Sequence, residues 1–224
     1  GAYAGLIPVV GSGTEIRELT VEDAVLNGNT ESVMGGAVGM VEDNAAKVVK
    51  FNAVTIKDTV KFNGGAVTGG IIGKIGYSAV HVNDCISLSG GLFSSVAGQA
   101  TVKRSISVGA YPFADANYIK AENVYTDTAG LEVEGVSVIA NADMIGEVAA
   151  EKMAALNFPI SWITNEGTYP SPTGAVLAAN GIEGEVWSGA IASEYAGGSG
   201  TEEDPWLIKT AEQLALCIYD PRPV

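Results

Sequence analysis

Histidine and cysteine are nearly missing from these 224 residues: there is one histidine, His81, and there are two cysteines, Cys85 and Cys217. A zinc site of the helical protease type needs two histidines one turn apart facing one metal, so a single histidine excludes it from this stretch of chain. Cysteine usage this low fits a bacterial surface protein and a reduced cytosol equally. Cys85 falls in an apolar strand pattern and Cys217 in an apolar helical one, and each reads as a small buried hydrophobe. Positive charge is also scarce, with 12 Lys and Arg against 26 Asp and Glu and a net charge of −14. Such a surface repels a phosphate backbone, which removes nucleic acid from the expected partners. The acidity reads as a solubility feature. No apolar run approaches the length of a membrane span. The first residues lack the basic start and apolar stretch of a signal peptide, which leaves open that the chain is the mature piece of an exported protein. Long helix-favouring tracts are scarce as well.

What is plentiful is glycine, 29 residues of it, together with Val, Ile and Thr, a mixture that points to β-structure with many turns or close-packed backbones. Four segments repeat: Gly5-Leu6-Ile7-Pro8-Val9-Val10, Gly36-Ala37-Val38-Gly39-Met40-Val41, Gly70-Ile71-Ile72-Gly73-Lys74-Ile75 and Gly91-Leu92-Phe93-Ser94-Ser95-Val96. Each reads Gly, two apolar residues, two variable ones, then Val or Ile. The heading glycines lie 31, 34 and 21 residues apart, so the strands are kept while the loops vary. A second block follows in every repeat: Leu19-Thr20-Val21, Val54-Thr55-Ile56, Ile86-Ser87-Leu88 and Ile106-Ser107-Val108. Its apolar, Thr or Ser, apolar order is the period-two alternation of a strand with one buried face, the apolar residues pointing inward. A preceding apolar residue (Ile16, Val49, Val80 or Val102) adds one more inward position per repeat.

Neither short strand can bury an apolar face alone. Stacking repeat on repeat pairs like strands in parallel at about 4.8 Å and lays Ile7, Val38, Ile72 and Phe93 over one another. The expected fold is therefore all-β, a right-handed parallel β-helix (solenoid) with short capping helices. The heading glycines suit corners that need positive φ or close backbone approach. An antiparallel sandwich, the structural rival, has no use for four in-phase copies of one block.

Residues 1–127 are expected to form the coils. After Val108 the blocks loosen into a last coil, with strands at Asn123-Val124-Tyr125-Thr126 and Val136-Ser137-Val138, and residues 128–170 read as the end of that coil followed by a helical and aromatic cap. The helix is expected from Asn141 to Leu156, with Ile145, Val148, Ala149 and Leu156 on one side and Phe158 and Trp162 beyond it, closing the open end of the stack. Residues 171–224 are a Gly/Ala/Ser-rich stretch with a strand-like Gly184–Ile191, then a capping-box pair, Thr210 and Gln213, that opens a last helix lined by Ala211, Leu214, Ala215 and Ile218. Leu214 and Ile218 are expected to cover the amino-terminal core around Leu6 and Ile7, in the same molecule or in a neighbour by domain swapping.

The glycine-headed blocks resemble the GLUG-motif family of bacterial surface proteins. The stretch from Trp187 to Leu214, above all Gly198-Ser199-Gly200-Thr201-Glu202-Glu203-Asp204-Pro205-Trp206-Leu207-Ile208, is very similar to the segment that opens modules in that family. In the family this segment precedes the coils, whereas here it follows them, as in a cut through a longer array or a permuted module. The resemblance implies a large, multi-module exported protein with roles in adhesion or surface display, and adjacent modules as partners. Some family members are IgA-cleaving metallopeptidases, a role that the single histidine excludes for this segment.

Chemistry-bearing residues are few. His81 alternates with Val80 and Val82 and should point outward. A glycosidase needs two carboxylates about 5–10 Å apart, and Asp58 and Asp84 hold different places in the alternation. Lys103 and Arg104 are adjacent and so face opposite ways in a strand. Glu202, Glu203 and Asp204 read as a solvated acidic turn, with weak Ca²⁺ binding as the alternative. Tyr77, Tyr111, Tyr118 and Tyr125 are candidates for a sugar-stacking platform, against ordinary packing as the simpler role. No catalytic, cofactor-binding or metal-ligating residue is assigned. The expectation is a non-catalytic extracellular or cell-surface scaffold or adhesin module; the alternative is a carbohydrate-binding or polysaccharide-cleaving β-helix.

Overall fold

The computed structural model describes residues 3–43, 46–65, 67–115, 117–174, 191–199, 201, 206–207, 212–213 and 216. The chain divides into two compact units, Gly1–Val176 and Leu177–Val224. Among its described residues the larger is all-β apart from three short helical turns, and its strands pair almost wholly in parallel. The repeated glycine blocks become strands Ile7–Val10, Val38–Val41, Ile72–Ile75 and Phe93–Val96, side by side in one sheet. Their register places Ile7 against Val38, Val38 against Ile72, and Ile72 against Phe93. A further bridge from Phe93 to Phe113 extends the same rung. This rung is the one the repeat predicts, residue for residue.

The heading glycines are there for close approach. A Cβ on Gly36 would lie 2.3 Å from the Gly70 carbonyl oxygen, and one on Gly70 would lie 2.7 Å from that of Gly91. Neither residue has positive φ. The left-handed conformation falls instead to Glu18, Ala53, Asp84, Arg104 and Asn123, with φ of 51°, 54°, 51°, 43° and 57°. Each follows directly on one of Arg17, Asn52, Asn83, Lys103 and Glu122, which are mutually in register. One corner, repeated in five successive layers, thus turns the chain at non-glycine residues, where the surrounding pairing must hold it.

The second sheet carries this corner. Before it run Glu15–Arg17, Val49–Asn52, Ala79–Asn83 and the longer strands Gln99–Ser107 and Ile119–Thr126; after it run Thr20–Val21, Thr55–Ile56 and Ile86–Ser87. Its register corrects the sequence alignment twice. Ile16 pairs with Phe51, and Val82 with both Phe51 and Val102, while Val80 lies between Val49 and Ala100. The assumed inward set was therefore offset by two residues in part, a slip that leaves each side chain on the same face. Past the corner the offset is one. Thr55 pairs with Ile86 and Ile56 with Ser87, then Ile86 with Ile106 and Ser87 with Ser107. A one-residue offset exchanges the faces. Ser87, Ser107 and Thr126 are thus the fully buried inward residues of the later layers, while Ile86 and Ile106 turn to the other side of the sheet. The buried hydroxyls are satisfied by turn carbonyls: Ser87 Oγ donates to Gly90 O at 2.7 Å, and Ser107 Oγ to Ala110 O at 2.8 Å.

The outward apolar row explains a second core. Ile86, Ile106, Val108 and Tyr125 pack with Met144, Ala149, Met153, Leu156 and Trp162, apart from the main core that holds Val38, Phe51, Ile72, Val82 and Phe93. The 141–172 segment therefore lies along the side of three adjacent layers instead of across the end of the stack. A cap would touch the last layer alone. The expected continuous helix is also broken, into a 3-10 turn Asn141–Met144, an α-helix Val148–Lys152 and a 3-10 turn Ala154–Leu156. Gly146 at φ 67° and the extended Ile145 interrupt it. Val148 stays exposed, while Ala149, Met153 and Leu156 form the buried stripe. Trp162–Asn165 and Thr168–Pro172 then close the segment as an antiparallel hairpin. The two strands expected to share one last coil lie in neighbouring layers instead, since Val136–Val138 pairs in parallel with Val124–Thr126.

Pairing that the repeat did not reveal joins Tyr3–Ala4, Val33–Gly35 and Val67–Gly69 in a third sheet, and Val25–Asn27 with Lys61–Asn63 in a fourth. In the smaller unit Tyr195 stacks on Trp206 at 4.9 Å, and Leu207 exchanges backbone hydrogen bonds with Ala196 and Gly197. Glu212, Gln213 and Leu216 are helical. The expected strand at Gly184–Ile191 and the expected role of Leu214 and Ile218 lie outside the described residues, apart from Ile191, which is in neither helix nor strand.

Candidate functional site

The outward face of the second sheet gathers most of the chemistry. Alternation buries Ile16, Val49, Phe51, Val80, Val82, Ala100 and Val102 and turns the residues between them outward. In register across five strands, one row reads Glu15, Lys50, His81, Thr101 and Lys120. The neighbouring row reads Arg17, Asn52, Asn83, Lys103 and Glu122. Side-chain hydrogen bonds tie the strands together along and between the rows: Asn83 Nδ2 donates to Asn52 Oδ1 at 3.0 Å within the second row, and Asn52 Nδ2 donates across to Glu15 Oε1 of the first at 3.2 Å. Ion pairs close both ends, Arg17 to Glu15 at 2.9 Å and Lys103 to Glu122 at 2.7 Å.

Electrostatics on this face follow from that arrangement. His81 does point outward and is half-buried between Lys50 and Thr101. Partial burial, then the charges of Lys50 and Lys103, hold its imidazole below the ordinary histidine value. The hydrogen bond from Arg17 keeps the Glu15 carboxyl below its usual range, and the one from Lys103 does the same for Glu122. Beside Lys120, a shallow hollow of about 160 Å³ is lined by Gln99, Ala100, Thr101, Tyr118 and Ile119.

The remaining candidates separate. Tyr118 and Tyr77 are 66% and 70% exposed, Tyr77 two residues ahead of Ala79 at the start of the next strand. Tyr111 packs edge-on against Phe113, and Tyr125 is buried in the second core. Two of the four tyrosines are thus free to stack on a ligand and two are packing residues. Asp58 is exposed in a turn. Asp84 is buried at a left-handed corner, where Arg104 Nε and Nη2 both donate to its carboxylate at 2.7 Å and the Trp162 indole N–H at 3.2 Å. The Trp162 hydrogen bond to this paired carboxylate anchors the 141–172 segment to the sheet. Lys103 faces the polar rows while Arg104, next to it, turns to Asp84.

Cys85 is wholly buried, and burial pushes its thiol up to about 12. It packs inward as a small hydrophobe, its Sγ donating to the Asn83 carbonyl at 3.1 Å. Cys217 and the acidic Glu202, Glu203 and Asp204, with the Ca²⁺ binding considered for them, lie outside the described residues. Among the described residues no three His, Cys, Asp or Glu side chains come together in a metal-binding group, and no helix is long and apolar enough to cross a membrane.

Sequence reasoning singled out His81 and Lys103 but missed Lys50, Asn52, Asn83, Thr101 and Lys120. The signal was present in Val49-Lys50-Phe51-Asn52 beside Val80-His81-Val82-Asn83, where apolar and polar positions alternate in phase. Only the pairing shows that these polar positions form continuous rows. Comparisons with protein-family models, with curated proteins and with solved structures return no match.

Proposed function

We propose that the chain is a right-handed parallel β-helix that serves as a non-catalytic scaffold or adhesin module of a larger exported bacterial protein, displayed at the cell surface. The observation that carries this reading is the residue-for-residue rung of Ile7, Val38, Ile72 and Phe93, since like strands stacked at every repeat are what a solenoid requires. The resemblance of the glycine blocks and the Trp187–Leu214 stretch to GLUG-motif surface proteins supports the setting. Adjacent modules of the same polypeptide and a host, matrix or glycan component are its partners under this reading.

The alternative is a carbohydrate-binding or carbohydrate-cleaving module. Binding is favoured by one observation, the exposed Tyr118 ring that shares a hollow with Thr101 and Lys120 of the polar row. Cleavage fits less well. The two carboxylates of the rows, Glu15 and Glu122, stand on the first and fifth strands. Four strand spacings put them about 19 Å apart, well beyond the separation of a glycosidase pair. The test is a glycan array with the purified protein, followed by a reducing-sugar and unsaturated-product assay on any glycan that binds. A binding module retains its ligand unchanged; steady release of shortened product would overturn the non-catalytic reading.

A further inference from the structure

The geometry points to the outward face of the second sheet as a binding strip for a uronic-acid-bearing polysaccharide, laid across the strands along the Lys50, His81, Thr101 and Lys120 row. This inference rests on the reading of the chain as a contact-making module and names the ligand class and the surface.

The first argument is charge. The chain carries 12 basic and 26 acidic side chains. The two rows hold four of the basic ones, Arg17, Lys50, Lys103 and Lys120, with only two acidic ones, Glu15 and Glu122. The strip is net positive on a strongly negative molecule, so a ligand drawn to it must be anionic. Two of its cations are already committed, Arg17 to Glu15 and Lys103 to Glu122. Lys50 and Lys120 have no ion pair among the described residues and are exposed.

The second argument is periodicity. The polar rows repeat once per strand, at about 4.8 Å, and a linear sugar chain is likewise a repeating ligand. Along the row it meets a cation at Lys50, hydrogen-bonding groups at His81 and Thr101, and a second cation at Lys120. Asn52 and Asn83 flank it with amides. The third argument is the aromatic margin. Tyr118 shares the hollow with Thr101 and Lys120 and exposes its ring, which suits stacking on the apolar face of a sugar.

These features also select among anions. A uronate polymer offers one singly charged carboxylate per sugar with neutral hydroxyls between, which matches two free lysines on the row separated by His81 and Thr101 and flanked by amides. A densely charged polymer such as duplex DNA or a sulfated glycan would meet Glu15, Glu122 and the negative remainder of the molecule.

The test measures binding of polygalacturonate by isothermal titration calorimetry, with dextran, heparin and duplex DNA as comparisons. Polygalacturonate is expected to bind, more weakly as salt rises. Lys50→Glu/Lys120→Glu should lower its affinity by about tenfold or more, Lys50→Arg/Lys120→Arg should keep it, and Lys74→Glu, in another sheet, should leave it unchanged. Circular dichroism confirms that each variant is folded. The single histidine gives an unambiguous second readout: bound polygalacturonate should raise the His81 imidazole pKa in an NMR titration, because a nearby carboxylate favours the charged ring. No binding, binding that the double charge reversal leaves intact, an unmoved His81, equal binding of dextran, or tighter binding of heparin or DNA would each overturn the inference. Glycan-array binding that survives the double reversal would sink this strip while sparing the module reading. Product release would sink the module reading itself.

Discussion

His81 shows how one residue reports on its surroundings. Burial and two nearby lysines disfavour the imidazolium, so its folded pKa lies below the unfolded value of about 6.5. The unfolded chain then binds a proton more readily than the folded one, and stability falls as pH drops from about 6.5 through the folded pKa. NMR should find the ring neutral at pH 7, and His81→Gln should flatten that part of the stability curve; a ring titrating above 6.5 would contradict the assigned environment. Asp84 is a different case. Its carboxylate accepts from Arg104 twice and from Trp162, all at a left-handed backbone position. Asp84→Asn would leave Arg104 with a poor partner in a largely buried place and should cost about 2–3 kcal/mol in chemical denaturation, less than a fully buried pair because Arg104 retains some solvent.

At the scale of elements, the Ile72–Ile75 strand and the 141–172 segment make separate claims. Ile72 is wholly buried on the common rung, whereas Lys74 keeps contact with solvent. Ile72→Asp should cost about 4 kcal/mol or more by placing an unpaired charge in the core, and Lys74→Asp should shift the melting temperature little; equal losses would contradict the face assignment. Trp162 is the largest fully buried side chain of the second core. Trp162→Ala should destabilise by about 3–5 kcal/mol and expose the Ile86, Ile106 and Tyr125 face, read as increased binding of a hydrophobic dye. If that segment merely closed the end of the stack, the same change would leave the row dry. The repeat made the first claim legible and not the second. Ile86-Ser87-Leu88 matches the earlier blocks by residue type, yet the corner at Asp84 sets its frame one residue away.

For the whole molecule, both cores lie within the first unit. Residues 1–176 expressed alone should therefore keep the β-type circular dichroism and the cooperative melt of the full chain; loss of cooperativity would show that the second unit completes the fold. Charge also has meaning at this scale. A net charge of −14 says little by itself, but its unequal distribution leaves a positive strip that composition averages away.

The amino-acid sequence alone determined the repeated block, its heading glycines and the in-register rung of Ile7, Val38, Ile72 and Phe93, because these depend on residue types recurring at fixed offsets within each block. Tertiary structure alone decided which face the later Ser and Ile residues take, where the 141–172 segment lies and which lysines join His81 in a row. Alternation specifies two faces but not what covers each of them. That choice was made by the left-handed corner and by the apolar segment that packs onto the outward row.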